Sequence, residues 1–321
     1  MKGTAVLLIH CPDQKGLVAR VAGLLYEHGA NILHADQHQD HDLGLFFMRV
    51  EWGLAAGGSL DESSGTARAP RTGAPRDETM GEGPDGNSGR EGVGGFDLER
   101  FRAAFASLAG GLGMRWQLTE GARRPRVALF CSQYLHCMAD LLYRWRTGEL
   151  DCEIPLIVSN HRAVENLAAF YGVEFEHMPV TAQTRAGAEA RQIEMLSRHG
   201  IELVVLARYM QILSPDFVAR FPARIINVHH SFLPAFTGAR PYHAAHARGV
   251  KLIGATSHYV TEVLDDGPII EQDVARISHR DQVEDLVAKG RDLERMVLSR
   301  AVRWHLERRI LCYGNKTVVF D

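Results

Sequence analysis

Three short apolar runs, spaced by helical patterns, constrain the fold of this chain more than any other feature. The runs are residues 127–131, 154–159 and 203–206. Helical patterns fill the intervening chain at residues 135–145, 162–171 and 188–199. Parallel strands covered by helices on both faces are buried on both sides, so they appear as continuous apolar runs rather than as alternating ones. The pattern predicts an α/β domain with a doubly wound, mostly parallel sheet. Further strands are expected at 224–228, 252–256 and 269–275.

The first 120 residues follow a different order. Strand-like runs lie at residues 4–10, 32–37, 45–52 and 114–118. Between them, two amphipathic stripes with helical spacing are formed by Leu17, Val21, Leu24 and Leu25, and by Leu98, Phe101, Phe105 and Leu108. The resulting order, βαββαβ, is that of the ferredoxin-like fold. Since 321 residues exceed the usual size of one domain, two domains are expected, at residues 1–120 and 124–321.

One long segment interrupts the N-terminal pattern. Residues 53–95 contain 12 Gly among 43 residues, with no aromatic residue and no Ile. Such a segment buries too little apolar surface to offset the entropy lost on ordering. We predict a disordered insertion and assign it no function.

Composition excludes several classes of protein. The net charge of −3 gives no electrostatic reason to expect nucleic acid or an anionic membrane as a partner. The five cysteines are scattered, with no C-x-x-C pair, so they predict reduced thiols rather than a disulfide framework or a zinc site. The apolar start is interrupted by His10 and Asp13, too early for a signal peptide or a membrane span. We expect a soluble, cytoplasmic protein.

Polar groups suited to acyl transfer occur near the ends of predicted strands. Asn227 and His229 are two residues apart, so on a strand their side chains point the same way. Asp265 follows the next predicted strand. An amide and an imidazolium can donate to a developing oxyanion, and a carboxylate can take a proton from water. A chain with 16 His also places some of them near Asn and Asp by chance, so the residue types alone leave a structural role open.

The sequence around these residues resembles a known family. Residues 226–274 contain Asn227-Val228-His229 and Leu264-Asp265-Asp266-Gly267-Pro268, and they are similar to the core of the folate-dependent formyl hydrolases and transferases. The resemblance implies that Asn227, His229 and Asp265 are catalytic, with folate as a substrate and with no metal or separate cofactor. It also implies a pterin-binding pocket formed by Met210, Gln211, Ile212, Leu213, Val260 and Thr261.

Two nearby residues keep alternative roles. His258 precedes Asp265 by seven residues, and it either orients the carboxylate or water, or is a structural histidine. Arg240 either meets a folate carboxylate or pairs with Asp266. His243 and His246 fit one face of a short helix better than a metal site, because no H-E-x-x-H or comparable spacing occurs.

The acceptor of the formyl group is inferred from what the sequence lacks. Family members that act on a phosphorylated amine have a Gly-rich loop after their first strand, whereas residues 131–136 here contain no Gly. Members that formylate an aminoacyl-tRNA carry an added C-terminal domain and a basic surface, and we expect neither in this slightly acidic chain. Water remains as the expected acceptor, and a transferase to an unphosphorylated amine is the alternative.

The N-terminal residues agree with this interpretation. Residues 13–18 and 29–32 resemble the small regulatory ACT domains, which usually sense amino acids in oligomers. The combined pattern resembles the formyltetrahydrofolate deformylases over nearly the full length. It implies hydrolysis of 10-formyltetrahydrofolate to formate and tetrahydrofolate, which feeds one-carbon and purine metabolism. It further implies a homo-oligomer with an amino-acid effector. A dimerisation module without a ligand, a metallohydrolase and a non-catalytic regulator are the other readings of the residues.

Overall fold

The computed structural model describes residues 3–54, 96–121, 123–234 and 241–320. The predicted insertion therefore lies outside the described residues except for positions 53 and 54, and Arg240 lies outside them as well. Within the described residues, none of the helices combines the length and the apolar character that a membrane span requires.

The N-terminal part is a four-stranded antiparallel sheet with two helices on one face. Its elements are β1 (Thr4–Pro12), α1 (Leu17–Glu27), β2 (Asn31–Asp40), β3 (Leu45–Gly53), α2 (Leu98–Leu112) and β4 (Arg115–Glu120). The strand order is β2-β3-β1-β4. The predicted apolar stripes face the sheet, where Phe101 and Phe105 are fully buried with Trp52. Asp97 caps α2 by accepting a hydrogen bond from the Arg100 amide. The predicted βαββαβ order is confirmed.

The rest of the chain is built on a seven-stranded sheet in the order β11-β10-β9-β8-β5-β6-β7. These strands are β5 (Arg126–Cys131), β6 (Glu153–Ser159), β7 (Glu174–His177), β8 (Leu203–Leu206), β9 (Ile225–His229), β10 (Leu252–Tyr259) and β11 (Ile269–Arg276). Strands β5 to β9 are parallel, whereas β10 and β11 are antiparallel to their neighbours. The prediction of a mostly parallel sheet is confirmed.

Helices pack against this sheet. They are α3 (His136–Thr147), α4 (Glu165–Tyr171), α5 (Arg185–Arg198), α6 (Pro215–Ala219), α7 (Pro241–Arg248) and α8 (Val283–Leu306). The longest, α8, runs unbroken through Gly290, which the sequence marks as a weak point. A Cβ at Gly290 would lie 2.1 Å from Tyr242 Oη. The glycine therefore allows α7 to approach α8 closely.

The C-terminus differs from the sequence expectation. The sequence predicts a helix over residues 281–309 and a final edge strand at 317–320. The final strand is present as β13 (Lys316–Val319), but α8 ends at Leu306 and an additional strand, β12 (Ile310–Tyr313), pairs with β13 as a hairpin. Apolar hairpin side chains pack against Leu8 and Phe47 of the N-terminal sheet. Burial against that sheet outweighs local helix propensity here, and the hairpin thereby connects the two halves of the molecule. The short edge strand β7, with the polar sequence EFEH, was not predicted either.

Candidate active site

The candidate residues meet because of how three strands are arranged. Strands β8 and β9 run parallel, so their carboxyl ends lie at the same edge of the sheet, where ligands of doubly wound folds bind. Strand β10 runs antiparallel to β9 and places His258 directly opposite Asn227. Asp265 follows β10 in the loop that leads into β11. The sheet topology therefore brings Asn227, His229, His258 and Asp265 together.

Hydrogen bonds fix the orientation of Asn227. His258 Nδ1 lies 2.9 Å from the carbonyl oxygen of Tyr259, and since a carbonyl only accepts, Nδ1 carries the proton. Burial lowers the pKa of His258, which favours the neutral ring. Its Nε2 is therefore an acceptor, and it lies 3.2 Å from Asn227 Nδ2. The amide donates one hydrogen to His258 and keeps its second hydrogen for another acceptor.

His229 and Asp265 form a pair at the floor of the site. His229 Nδ1 lies 3.3 Å from Asp265 Oδ2, and Asp265 Oδ1 lies 3.9 Å from His258 Nε2. The hydrogen bond from His229 is the main cause that lowers the pKa of Asp265, so this carboxyl group is ionised at neutral pH. On the other side of the ring, His229 Nε2 is buried and has no hydrogen-bond partner among the described residues. A buried polar atom without a partner costs free energy unless a bound molecule satisfies it.

The loop that carries Asp265 is held tightly against β10. A Cβ at Gly267 would lie only 1.7 Å from the Tyr259 carbonyl oxygen, so only glycine fits there. The Tyr259 amide donates to the Pro268 carbonyl over 2.9 Å. Asp265 itself adopts a left-handed conformation, with φ of 56°, which Asp tolerates better than most residues. The Gly267-Pro268 part of the motif thus positions the carboxylate.

A cavity of 350 Å³ adjoins these side chains. Its walls include all six residues predicted to bind the pterin, namely Met210, Gln211, Ile212, Leu213, Val260 and Thr261. Met210 and Ile212 are each more than half exposed, so their apolar side chains are accessible in this wall. The other lining residues, to which the sequence assigned no individual binding role, are Leu206, Arg208, Tyr209, Val228, His230, Glu262 and Leu264.

The turn without glycine has a structural part in this pocket. Ser132 Oγ donates to Asn160 Oδ1 over 2.7 Å and accepts from the Met210 amide over 3.0 Å. The Ser132 amide donates to the Arg208 carbonyl. The turn after β5 therefore holds the cavity wall that carries Met210. The position of Ser132 directly after a buried strand is the one sequence signal that could have indicated this role.

A second polar cluster lies behind Arg208. The carboxylate of Glu294 is buried and has three partners: His136 Nε2 at 2.7 Å, Tyr242 Oη at 2.9 Å and Arg208 Nε at 3.4 Å. Sequence reasoning missed this group, although Glu294 is a charged residue on the apolar face of α8.

Residue types alone make this cluster a candidate metal site. Ligand atoms of His136, Cys137 and Glu294 lie within 4.8 Å of one another. However, the Glu294 oxygens already have partners, Arg208 adds a positive charge, and burial raises the pKa of the Cys137 thiol well above its ordinary value. The group therefore fits a hydrogen-bonded ion-pair network better than a metal centre.

Comparisons with known proteins identify a matching family for the N-terminal part of the chain and another for the C-terminal part. The formyl transferase family model matches residues 125–302, and the ACT domain model matches residues 5–51. A relative from Synechocystis sp. named formyltetrahydrofolate deformylase is 49% identical, covering 99% of this chain and 98% of the relative. The chain belongs to the formyltetrahydrofolate deformylase family.

Solved structures support this membership. A formyltetrahydrofolate deformylase from Pseudomonas syringae pv. tomato matches with a TM-score of 0.84 and 43% identity, covering 100% of this chain and 95% of that one. Glycinamide ribonucleotide transformylase 1 from Symbiobacterium toebii matches with a TM-score of 0.59 and 31% identity, covering 62% of this chain and 95% of that one. The deformylase family shares the whole chain, whereas the transformylase shares only part of it.

Proposed function

We propose that the chain hydrolyses the formyl amide of 10-formyltetrahydrofolate to formate and tetrahydrofolate. The observation that carries the proposal is the His229–Asp265 pair, which lines the cavity and leaves His229 Nε2 without a partner among the described residues. Relatives with the deformylase name match the chain over nearly its full length. The products place the enzyme in one-carbon metabolism and link it to the purine synthesis that uses formyl-folate.

In the proposed reaction, water attacks the formyl carbon. Asp265 Oδ2 holds His229, while Oδ1 remains available to bind the water and take its proton. The developing oxyanion accepts hydrogen bonds from the second N–H of Asn227 and from protonated His229 Nε2. Collapse of the tetrahedral intermediate breaks the bond from carbon to N10, and N10 takes up the proton lost by water. Formic acid leaves and ionises to formate.

We assign His258 as a positioning residue. Its Nε2 accepts a hydrogen bond from Asn227 and lies 3.9 Å from Asp265 Oδ1. It therefore holds the Asn227 amide in the orientation that directs its second hydrogen to the oxyanion. No metal or additional cofactor enters this scheme.

The test is formate release from purified protein supplied only with 10-formyltetrahydrofolate and water. Asn227→Ala is expected to slow turnover by about 100-fold to 1000-fold, the usual effect of removing one oxyanion donor. Asn166→Ala, on the exposed surface of α4, is the matched control. Unchanged formate release by Asn227→Ala would contradict the assignment. Stoichiometric formate in this assay would also reject the transferase to an unphosphorylated amine.

We propose that residues 1–120 form the regulatory part and residues 124–321 the catalytic part. A groove of 600 Å³ is lined by residues 13–19 and 37–39 with Phe46, and it includes the segment that resembles ACT domains. We propose this groove as the site of an amino-acid effector. Titrating free amino acids against the rate of formate release tests it, and no response to any of them would remove the effector.

We also propose a homo-oligomer located in the cytoplasm. All ten residues of β2 are at least partly exposed, and Leu33 is 55% exposed. An edge strand of this length is a ready template for pairing with a second copy. Light scattering of the purified protein measures the mass, and a monomer at all concentrations would contradict the proposal. The five cysteines are free thiols, which suits a reducing compartment.

A further inference from the structure

A second cavity, with a volume of 740 Å³, lies between the N-terminal sheet and the catalytic half. Strand β4 contributes Arg115 and Trp116 to its lining, and the turn before β9 contributes Arg224. The chain around the end of α8 contributes His305 and Arg308. This cavity is separate from the folate pocket and from the groove at residues 13–19. Its volume lies within the range typical of small-molecule sites.

The cavity carries an excess of positive charge. In the part of the chain that the structure describes, Arg115, Arg224 and Arg308 form no ion pair, and the side chains of Arg224 and Arg308 hydrogen-bond only to backbone carbonyls. The acidic residue of the lining, Glu202, is already held by Arg123 at 2.8 Å and by the Arg126 amide at 3.1 Å. The positive charges therefore lack a counterion.

Arg308 is the residue of this group whose positive charge is disfavoured by burial. It is half-buried, and burial lowers the pKa of its guanidinium group. A neighbouring cavity of 400 Å³ differs, since its Arg49 pairs with Glu51 at 2.8 Å. A partly desolvated cation without a partner destabilises the folded state unless an anion compensates it.

The chemistry of the lining indicates which anion fits. Guanidinium groups bind phosphate through paired hydrogen bonds, and several around one cavity suit a doubly charged phosphate monoester. Trp116, Pro222 and Leu311 add apolar surface, which suits a flat ring. A nucleoside monophosphate combines both features.

The cavity is linked to the candidate active site through Tyr259. Its hydroxyl oxygen lies 2.7 Å from His305 Nδ1 at the cavity wall. Its carbonyl accepts from His258, and its amide donates to the carbonyl of Pro268 in the loop that carries Asp265. A shift of Tyr259 therefore reaches both the histidine that holds Asn227 and the catalytic carboxylate.

We propose that this cavity binds a phosphorylated anion of nucleoside monophosphate size, and that its occupancy changes turnover through Tyr259. An anion that bridges Arg115 of the N-terminal sheet to Arg224 and Arg308 also joins the two halves of the molecule. The effect on turnover rests on the proposed deformylase function, whereas the binding does not.

Calorimetric titration of the full chain tests the binding, with adenosine monophosphate, inorganic phosphate and uncharged adenosine as probes. We expect adenosine monophosphate to bind more tightly than phosphate, and adenosine to bind least. Arg224→Ala and Arg115→Ala are each expected to weaken binding by about tenfold or more, the loss expected for a charge-assisted contact. Arg198→Ala removes one exposed positive charge from α5 and is expected to bind as the wild type does. Thermal melting checks that each variant folds.

Three binding results would overturn the site. The first is that no phosphate probe binds. The second is that Arg198→Ala weakens binding of adenosine monophosphate as much as Arg224→Ala and Arg115→Ala do. The third is that the wild type binds no anion while Arg115→Ala changes the mass of the oligomer. The last result would identify the cavity wall as a contact between copies of the chain.

The link to turnover has its own readout. Adenosine monophosphate is expected to change kcat for formate release in the wild type and not in Arg224→Ala at the same concentration. Binding with an unchanged kcat would overturn the link. A wild-type protein that binds the anion but releases no formate would overturn the proposed function and leave the binding site standing.

Discussion

Two histidine–carboxylate pairs in the catalytic half differ in what surrounds them. His136 and Glu294 lie 2.7 Å apart, and Glu294 has two further partners, Tyr242 and Arg208. His229 and Asp265 lie 3.3 Å apart, and the Asp265 side chain is 24% exposed compared with 2% for Glu294. Both carboxylate oxygens of Glu294 have partners, whereas the second pair leaves one carboxylate oxygen and an imidazole nitrogen for a substrate. We therefore propose that the same two residue types serve structure in one place and chemistry in the other.

The pKa shifts of the two carboxyl groups have different origins. Burial opposes ionisation of Glu294, but the hydrogen bond from His136 and the charge of Arg208 together lower its pKa. The pKa of Asp265 is lowered chiefly by the hydrogen bond from His229, with burial acting against it. Glu294 therefore depends on a complete network, while Asp265 depends mainly on one histidine.

The largest expected effect comes from Asp265→Asn. We expect kcat for formate release to fall by about 10²-fold to 10⁴-fold, the range for loss of a general base. The amide nitrogen of Asn can also donate to His229 Nδ1 and hold the ring in the wrong tautomer. Asn adopts the left-handed conformation as readily as Asp, so the free energy of unfolding is expected to change by less than about 1 kcal/mol.

Asp266→Asn is the control for this variant, because it changes the adjacent and more exposed carboxylate. It is expected to retain wild-type turnover. If both variants lost turnover equally, the loop as a whole, rather than the carboxylate of Asp265, would be responsible.

Glu294→Gln is expected to lower stability more than turnover, whereas Asp265→Asn is expected to lower turnover more than stability. The main effect of Glu294→Gln is on stability, because it leaves Arg208, whose side chain is 11% exposed, without its counterion. Loss of one partner of a buried ion pair typically costs about 3–5 kcal/mol of unfolding free energy. Turnover per folded molecule is expected to fall less than in Asp265→Asn. Urea unfolding gives the stability, and Glu284→Gln on the exposed side of α8 is the control. A Glu294→Gln protein as stable as the control would show that the network contributes little.

The comparison also shows what the sequence could predict. The apolar runs and their spacing were enough for both sheets, and the strand-end position of Asn227 and His229 was enough to bring them to one edge. The Glu294 cluster was not predicted, because its partners come from α3, α7 and the turn after β8. Contacts between residues so far apart in the chain depend on helix packing, which local periodicity does not specify. The first hairpin strand, β12, was missed for the same reason, whereas a final strand at residues 317–320 was expected and β13 lies there.

The smallest expected effect is on the pH dependence of stability, through the contribution of Glu294 to the free energy of unfolding. The folded-state pKa of Glu294 lies below its ordinary value of 4.5. A lowered pKa contributes stability that is fully present above the unfolded-state pKa and is lost as the pH falls through the folded-state pKa. The difference in unfolding free energy between wild type and Glu294→Gln is therefore expected to be constant near neutral pH and to narrow below about pH 4.5.

Urea unfolding of the two proteins between about pH 7 and about pH 4 measures this narrowing. In the same pH series, the difference in unfolding free energy between wild type and Asp265→Asn is expected to stay small at every pH. The reason is that the Asp265 carboxylate is partly exposed and its ion pair is screened by solvent. If the difference in unfolding free energy between wild type and Glu294→Gln stayed constant to the lowest pH, the loss of stability in the variant would come from packing rather than from charge. Glu294 and Asp265 would then differ in how their side chains pack and not in how their ionisation affects stability.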